Sequence, residues 1–399
     1  MKKNVTIVLA GINGYGGLYL NALLDDPRNT KIAGLVDPYW DKCARLSEIK
    51  DRNIPLYKDL ESFYKEHSAD LAVLSSPIHM HCPQSITALS NGSHVLCEKP
   101  LAATIQEAQQ LIKAEKKYQK TVHIGYQWSF SNAIQSLKND VLSGVLGKPL
   151  LLKTLVLWPR GATYYGRNNW AGAMKTADEK WILDSPINNA TAHYLHNMLY
   201  ILGKDVFSSI SPLKVEAELY RANKISNFDT AAMRVNTTNG TQILFYSTHA
   251  LPLTVGPLCN YKFEKASVLF SGSDMYAKFN DGSIKFYGNP NDNTLNKLWF
   301  AVENIKNGKD ESLCGPEAAS AQTLCINGAQ SSMPEIVTVP ESEIETVETS
   351  KDTFTCIKNL TSYMIQCFDM EVLPSELGCV KWSKKGNLIN LKDYKKFSL

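Results

Sequence analysis

Residues 69–104 read ADLAVLSSPIHMHCPQSITALSNGSHVLCEKPLAAT. Positions 71–75 and 94–97 are short apolar runs of the kind buried on both faces of a parallel sheet. Between them the pattern predicts a helix that Asn91-Gly92 terminates. Strands alternating with helices require right-handed crossovers and build a doubly wound parallel sheet. The triplet Glu98-Lys99-Pro100 then falls at the carboxyl end of the second strand, the edge where such sheets bind ligands. A lysine at that edge is placed to act on a small molecule held beside a cofactor.

The upstream sequence agrees. Residues 5–10 form another buried-strand run, followed by the loop Gly11-Ile-Asn-Gly-Tyr-Gly-Gly17, a helical stretch over 18–24, and a second strand over 31–36 that ends at Asp37. A dinucleotide pyrophosphate lies against backbone N–H groups where a strand turns sharply into a helix, which requires glycine. Gly11 and Gly16 take the first and third positions of Gly-x-Gly-x-x-Gly. Asn13 takes the second, with Gly14 and Tyr15 after it, and asparagine tolerates a left-handed backbone better than most residues. Asp37 lies 21 residues beyond Gly16. A carboxylate there accepts a hydrogen bond from a ribose 2′-hydroxyl and repels a 2′-phosphate, so the expected cofactor is NAD rather than NADP. Downstream, Thr104 and Glu107 form a capping box that opens a helix, and residues 122–126 form a closing strand. Residues 1–127 are thus expected to be a Rossmann-type NAD(P)-binding domain.

Beyond residue 127 the period changes. Val215, Ala217 and Leu219 alternate with Glu216, Glu218 and Tyr220, a period of two with one solvated face. Similar runs cover 230–235, 241–249, 261–270 and 283–287, punctuated by Asn239-Gly240 and Asp281-Gly282. Helices are expected over 188–202, 298–307, 316–327 and 352–369. Residues 128–399 therefore read as an α+β domain with a largely antiparallel open sheet. Its last helix is a candidate to pack back on the first domain.

Composition narrows the function. The 399 residues, 44% hydrophobic and 20% charged, carry a net charge of +3. That charge gives no electrostatic case for nucleic acid or an anionic membrane, and no segment is apolar for long enough to span a bilayer. The nine cysteines are odd in number and never spaced Cys-x-x-Cys. They suit reduced thiols in a cytoplasm better than a disulfide frame or a zinc site, and no metal is expected. The Lys-Lys start with its short apolar run leads into the glycine loop rather than a cleavage site, and reads as the first strand.

The segments Ser76-Pro77-x-x-x-His81, Val95-Leu-Cys-Glu-Lys-Pro-Leu101, Gly125-Tyr-Gln127 and Ser143-Gly-Val-Leu-Gly-Lys-Pro149 resemble those of the Gfo/Idh/MocA family. The resemblance is strong over residues 4–150 and looser to about residue 335. It implies an enzyme that oxidises a hydroxyl of a sugar, inositol or related polyol, or reduces the ketone, with NAD(P). It also implies that residues 128–399 serve substrate binding and oligomerisation, with a homodimer or homotetramer joined through the open sheet. The matching catalytic lysine is Lys99, whose ammonium would stabilise alkoxide character on the reacting oxygen. Glu98 would orient Lys99 or contact the cofactor, and the resemblance suggests a cis bond before Pro100. Ser76, Pro77, His81 and Gln127 join Gly11, Asn13, Gly14, Tyr15, Gly16, Asp37 and Glu98 on the cofactor side. His81 reads as near-site, capping the Ser76-Pro77 loop. The family's asparagine two residues earlier is His79 here.

On the substrate side, Ser185-Pro186 reads as N-cap and first residue of a helix that carries Asn189, His193 and Asn197 on one face. The family places Asp-x-x-x-His on this helix. His193 matches the histidine, the expected proton acceptor, but Asn189 replaces the aspartate and is assigned to substrate. Asp184 and Lys99 are the candidates for the missing charge. Arg167 and Trp170, within an Arg- and aromatic-rich loop over 158–170, are candidate substrate contacts, and His249 reads as a core histidine. Two rival functions share these residues. One is a hydrolase that oxidises a glycoside transiently and regenerates NAD. The other is a non-catalytic dinucleotide sensor.

Overall fold

The computed structural model describes residues 4–399. Two compact units emerge, the first from residues 4–102, 106–130 and 293–320, the second from 103–105, 131–292 and 321–399. The sequence division at 127/128 did not foresee the return of residues 293–320 to the first unit.

The first unit runs β1 (Val5–Ala10), α1 (Gly16–Asp25), β2 (Thr30–Val36), α2 (Leu46–Asp51), β3 (Leu56–Tyr57), α3 (Leu60–Glu66), β4 (Leu71–Leu74), α4 (Ile78–Ser90), β5 (His94–Cys97), α5 (Ile105–Tyr118) and β6 (Val122–Ile124). Its six strands lie in the order β3-β2-β1-β4-β5-β6, all parallel. This is the doubly wound arrangement, with its switch point between β1 and β4. Every residue of β4 is buried, as a strand covered on both faces requires. Gly92, at φ +85°, follows the end of α4, where a left-handed residue lets the chain leave the helix.

The second unit begins with α6 (Asn132–Leu142), β7 (Pro149–Leu157), α7 (Ala162–Gly166) and α8 (Ala192–Ile201). It continues through β8 (Pro212–Arg221), β9 (Thr230–Thr237), β10 (Gln242–Thr248), β11 (Val255–Phe263), β12 (Ala266–Phe270), β13 (Met275–Phe279) and β14 (Ile284–Gly288). Next come α9 (Asn296–Asn307), whose residues belong to the first unit, and α10 (Pro316–Ser332). The chain ends with β15 (Val337–Thr338), β16 (Ile344–Glu348), β17 (Thr353–Ile357), α11 (Leu360–Met370) and β18 (Ile389–Asn390). A ten-stranded sheet takes the order β14-β13-β12-β11-β7-β10-β9-β8-β15, with β18 against β8. Only the β7–β10 and β15–β8 pairs are parallel, so the sheet is largely antiparallel.

Four local expectations need correction. The 261–270 run is not one strand but the end of β11 and the whole of β12, folded back at Glu264-Lys265. β8 has no solvated face, because Glu216, Glu218 and Tyr220 are buried together with Val215, Ala217 and Leu219. Residues 352–369 hold a strand and a helix. Thr353 to Ile357 find a partner in β16, and that pairing outweighs the helical spacing. Last, α11 packs within its own unit, where Met364 and Cys367 join Leu155, Leu244 and Tyr246 in one core. The helix that belongs to the first unit is α9, whose Leu298, Ala301 and Val302 pack with Leu9, Leu20, Leu71 and Leu96.

Candidate active site

On the nucleotide side, the glycine loop closes over the β1–β4 switch. Gly11 has φ +81°, donates its N–H to Val36 O at 2.8 Å, and leaves so little room that a Cβ would lie 2.6 Å from Ser75 O. A Cβ on Gly16 would lie 1.7 Å from Gly11 O, so α1 starts directly against the turn. The second left-handed residue of the loop, after Gly11, is Gly14, at φ +57°, not Asn13. Asn13 works through its side chain instead, donating from Nδ2 to Asp37 Oδ2 at 3.1 Å and to Tyr39 O at 3.1 Å. Asp37 is 7% exposed. Its Oδ2 also accepts from Ile12 N at 3.0 Å, and its Oδ1 accepts from Tyr39 N at 2.8 Å. The carboxylate thus latches the loop to the end of β2 and keeps acceptor capacity on Oδ1. This tight, Cβ-free cradle at a helix start, with an acid beside it, fits the adenosine and pyrophosphate of a dinucleotide.

At the carboxyl end of β5, Glu98 is 6% exposed and its Oε2 accepts the backbone N–H of Lys99 at 3.2 Å. Its Oε1 accepts from Tyr19 and forms an ion pair with Lys297 of α9, which is fully buried. Lys297 also donates to Tyr15 Oη at 3.1 Å and to Gly125 O at 3.2 Å. Gly125 makes room, since a Cβ there would lie 2.8 Å from Glu98 Oε1. Burial pushes the Glu98 carboxyl upward, but the Lys297 ammonium and the Tyr19 hydroxyl outweigh it and hold the group below its ordinary range. For Lys297 burial pulls down, and Glu98 with Tyr15 raises it further. Sequence reasoning missed Lys297 and Tyr19. The one available signal was helical, for Lys297, Ala301 and Asn304 share a face that the first unit buries.

His81 bridges two carbonyls, with Nδ1 2.7 Å from Pro100 O and Nε2 2.9 Å from Ser76 O. It therefore ties the end of β4 to the Lys99-Pro100 turn, whose peptide is cis. Burial lowers its pKa against the pull of the carbonyls. Ser76 also donates from Oγ to Gln84, Pro77 precedes α4, and Tyr15 Oη lies 3.5 Å from Gln127 Oε1.

In the second unit, α8 starts later than the sequence suggests. Residues 185–191 form turns in which Asn189 N bonds Ser185 O at 2.9 Å and Thr191 Oγ1 bonds Pro186 O at 2.8 Å. Short polar side chains compete with the helical ladder in this way. Ser185 is therefore not the N-cap; Thr191 occupies that place. His193, half-buried, is the second residue of α8. Asn189 lies before the helix, not one turn back on it, and its Nδ2 donates to Asp184 Oδ1 at 2.7 Å. Asp184 Oδ2 accepts from Gly172 N at 2.7 Å and lies 3.9 Å from Arg167 Nη2. Arg167 stacks on Tyr164, 3.5 Å from the ring centroid, and lies 5.2 Å from the Trp170 ring. The aspartate and the pair Arg167 and Asn189 thus form one cluster. His249 is buried, its Nδ1 2.7 Å from Trp158 O, and burial with the neighbouring Arg160 drives its pKa down to about 3.

The sequence profile of the Gfo/Idh/MocA oxidoreductase family, NAD-binding Rossmann fold, matches residues 5–126. Over that domain, and there alone, the chain is similar to the Gfo/Idh/MocA family. Relatives of that family include an inositol 2-dehydrogenase of Salmonella paratyphi B, 31% identical over 122 residues that make up 30% of this chain and 34% of that protein. A 2,7-anhydro-N-acetylneuraminate hydratase of Mediterraneibacter gnavus is 23% identical over 49% of this chain and 48% of its own length. The chain spans about a third to a half of the length of these curated relatives. The whole fold is shared more widely. The WlbA dehydrogenase of Bordetella pertussis, solved with NADH and UDP-GlcNAcA, superimposes with a TM-score of 0.67 at 18% identity, covering 82% of this chain and 97% of that one. An oxidoreductase of Agrobacterium radiobacter, solved with NAD+, L-tartaric acid and magnesium, has a TM-score of 0.66 at 15% identity over 82% and 96%. Among the described residues no helix is long and apolar enough to cross a membrane.

Proposed function

We propose that the protein is an NAD-dependent dehydrogenase that oxidises a hydroxyl of a sugar, inositol or related polyol, or reduces the corresponding ketone. The observation that carries this reading is the shared edge of the first sheet. The Gly11–Gly16 cradle, Asp37 and the Glu98-Lys99 pair all sit at carboxyl ends of its strands. Asp37 favours NAD, because its remaining acceptor capacity suits a 2′-hydroxyl and its charge opposes a 2′-phosphate. Gly14, Tyr15, Ser76, Pro77, His81 and Gln127 complete the assigned cofactor surface. Bound there, the nicotinamide supplies the acceptor for the substrate's hydride.

The chain's own groups handle the oxygen and the proton. Lys99 donates a hydrogen bond to the reacting oxygen and stabilises its negative character. His193 takes the hydroxyl proton, which an imidazole does readily near neutral pH. Asn189, anchored on Asp184, orients the substrate, and Asp184 supplies the carboxylate that position 189 lacks. Arg167 and Trp170 line the substrate side. The expected setting is cytoplasmic, the expected assembly a homodimer or homotetramer.

The test is a panel of sugars, inositols and sugar acids with NAD and with NADP, followed by nicotinamide absorbance. Lys99→Ala is expected to lower turnover by a factor on the order of 10²–10⁴ while NADH binding, followed by tryptophan quenching, stays nearly intact. Full activity in that variant would overturn the assignment. The relative named as a hydratase favours keeping a second reading, transient oxidation and elimination with no net NADH. Release of aglycone from aryl-glycosides without NADH accumulation would select it.

A further inference from the structure

At the amino ends of β1 and β2, the edge of the first sheet opposite the glycine loop, lies a cavity of about 560 Å³. Its lining residues all fall within 6–67, inside the first unit. A volume of this order holds a small organic ligand. The strand register explains why space is left there. β3 is only two residues long and pairs with Leu35 and Val36. The earlier half of β2 therefore has β1 on one side and no strand on the other. Within that half the ladder skips a residue, for Ile7 lies opposite Ile32 and Val8 opposite Gly34. Ala33 is the extra residue of this bulge, and it lines the cavity. Bulged residues and bare strand edges present N–H and C=O groups that a ligand can meet.

The facing wall is the turn after α2, and its shape is fixed. Asn53 takes a left-handed conformation at φ +53°, and Ile54 N bonds Ile49 O at 3.0 Å. Leu24, Ile32 and Ile54 supply an apolar lining. Charge at the cavity is one-sided, since the lining holds Lys31, Arg52 and His67 and no acid. Lys31 is exposed and forms no ion pair among the described residues. Arg52 is anchored, with Nη1 donating to Leu24 O at 3.1 Å and Nη2 lying 2.6 Å from Glu48 Oε1. A guanidinium has five donors, so this anchorage leaves others for a ligand. Acids on the adjoining segments are engaged. Glu48 is held by Arg45 and Arg52, Asp26 by Arg28, and Asp70 by the N–H and hydroxyl of Thr6.

We propose that this cavity binds a nucleoside monophosphate, at a site separate from the cofactor cradle. The phosphate lies against Lys31 and Arg52, where charge-assisted hydrogen bonds are available. The base lies along Leu24, Ile32 and Ile54 with its polar edge toward the peptide groups of β2. A dianion suits two cations with no acid in the lining. A planar base with donors and acceptors along one edge suits a bare strand edge beside aliphatic side chains. Phosphate alone would leave the apolar lining in water, and an aliphatic carboxylate would leave the strand edge unmet.

The test is calorimetric titration of the full chain with AMP, GMP, CMP and UMP, with NADH saturating so that the cofactor cradle is filled. The matching nucleosides and inorganic phosphate are the controls. At least one nucleotide is expected to bind about 10-fold or more tightly than its nucleoside and than phosphate. Lys31→Met should weaken that nucleotide by about 10-fold with NADH affinity unchanged, and Lys31→Arg should restore most of the loss. Four results would each overturn the site: no nucleotide binding tighter than about 1 mM, equal binding to Lys31→Met, displacement of the nucleotide by NADH, or phosphate binding as tightly as the nucleotide. Should NADH itself fail to bind, the cofactor reading falls. The same titrations without NADH then decide the cavity, where loss of nucleotide binding in Lys31→Met supports it and equal binding overturns it.

Discussion

Glu98 holds a negative charge where almost no water reaches, and it is stable there because a single buried ammonium, Lys297, lies against it. Breaking such a pair leaves an uncompensated charge and costs about 3–5 kcal/mol. Lys297→Met is therefore expected to lose about that much in denaturant-induced unfolding of the full chain, and a loss under about 1 kcal/mol would contradict the pairing. Its pH dependence has a defined sign. The wild-type carboxyl titrates below its ordinary 4.5, so its contribution is present above that value and is lost as pH falls through the lowered folded pKa. In Lys297→Met burial acts without its main opponent and the folded pKa rises. That variant should gain stability on mild acidification from neutral pH, where the wild type does not. Because Glu98 also accepts the Lys99 N–H, the loss should reach the Lys99-Pro100 turn. Neither side chain announces this partnership locally, since 199 positions separate them in the chain.

The turn between β1 and α1 and the end of β2 behave as one element joined by Asp37. Its carboxylate holds Ile12 N, Asn13 Nδ2 and Tyr39 N, so the acid that reads as a ribose contact also shapes the loop beneath the pyrophosphate. Asp37→Ser removes the repulsion of a 2′-phosphate and part of the latch. The expected outcome is a ratio of NADH to NADPH affinity that falls by about tenfold or more, roughly the 1.4 kcal/mol per decade of a charged hydrogen bond. An unchanged ratio in direct binding would remove Asp37 from cofactor selection. Helix α9 is the second element whose role exceeds its local pattern. Leu298 is fully buried among strands of the first sheet, and Leu298→Ala should cost about 2–5 kcal/mol in thermal or chemical unfolding. A cost within 0.5 kcal/mol would show that α9 does not belong to that core. Helix α8 marks the opposite case. Its apolar spacing was legible, but its start was not, because Asn188 and Thr191 bind nearby carbonyls and delay the helical ladder.

Across the whole molecule, the far edge of the ten-stranded sheet exposes Ile284 and Phe286 of β14, the latter 67% exposed. Large apolar side chains on an edge strand invite pairing with another copy. Sedimentation is expected to give a dimer or tetramer of the 44.4 kDa chain, and Phe286→Glu should shift that distribution toward monomer. A monomeric wild type would remove self-association from the reading. The sequence by itself determined what depends on neighbours in the chain: the strand–turn–helix of the glycine loop, the ionisable triplet after β5, the change of period that announces a second architecture. Those signals survive because φ, ψ and side-chain alternation are set within a few residues. Tertiary structure alone decided the partners of buried polar groups. It put Lys297 against Glu98, Asn13 on Asp37 and Asn189 on Asp184. A buried charge or amide must find whichever complementary atom the fold brings within hydrogen-bond distance, and no periodicity encodes which one that will be.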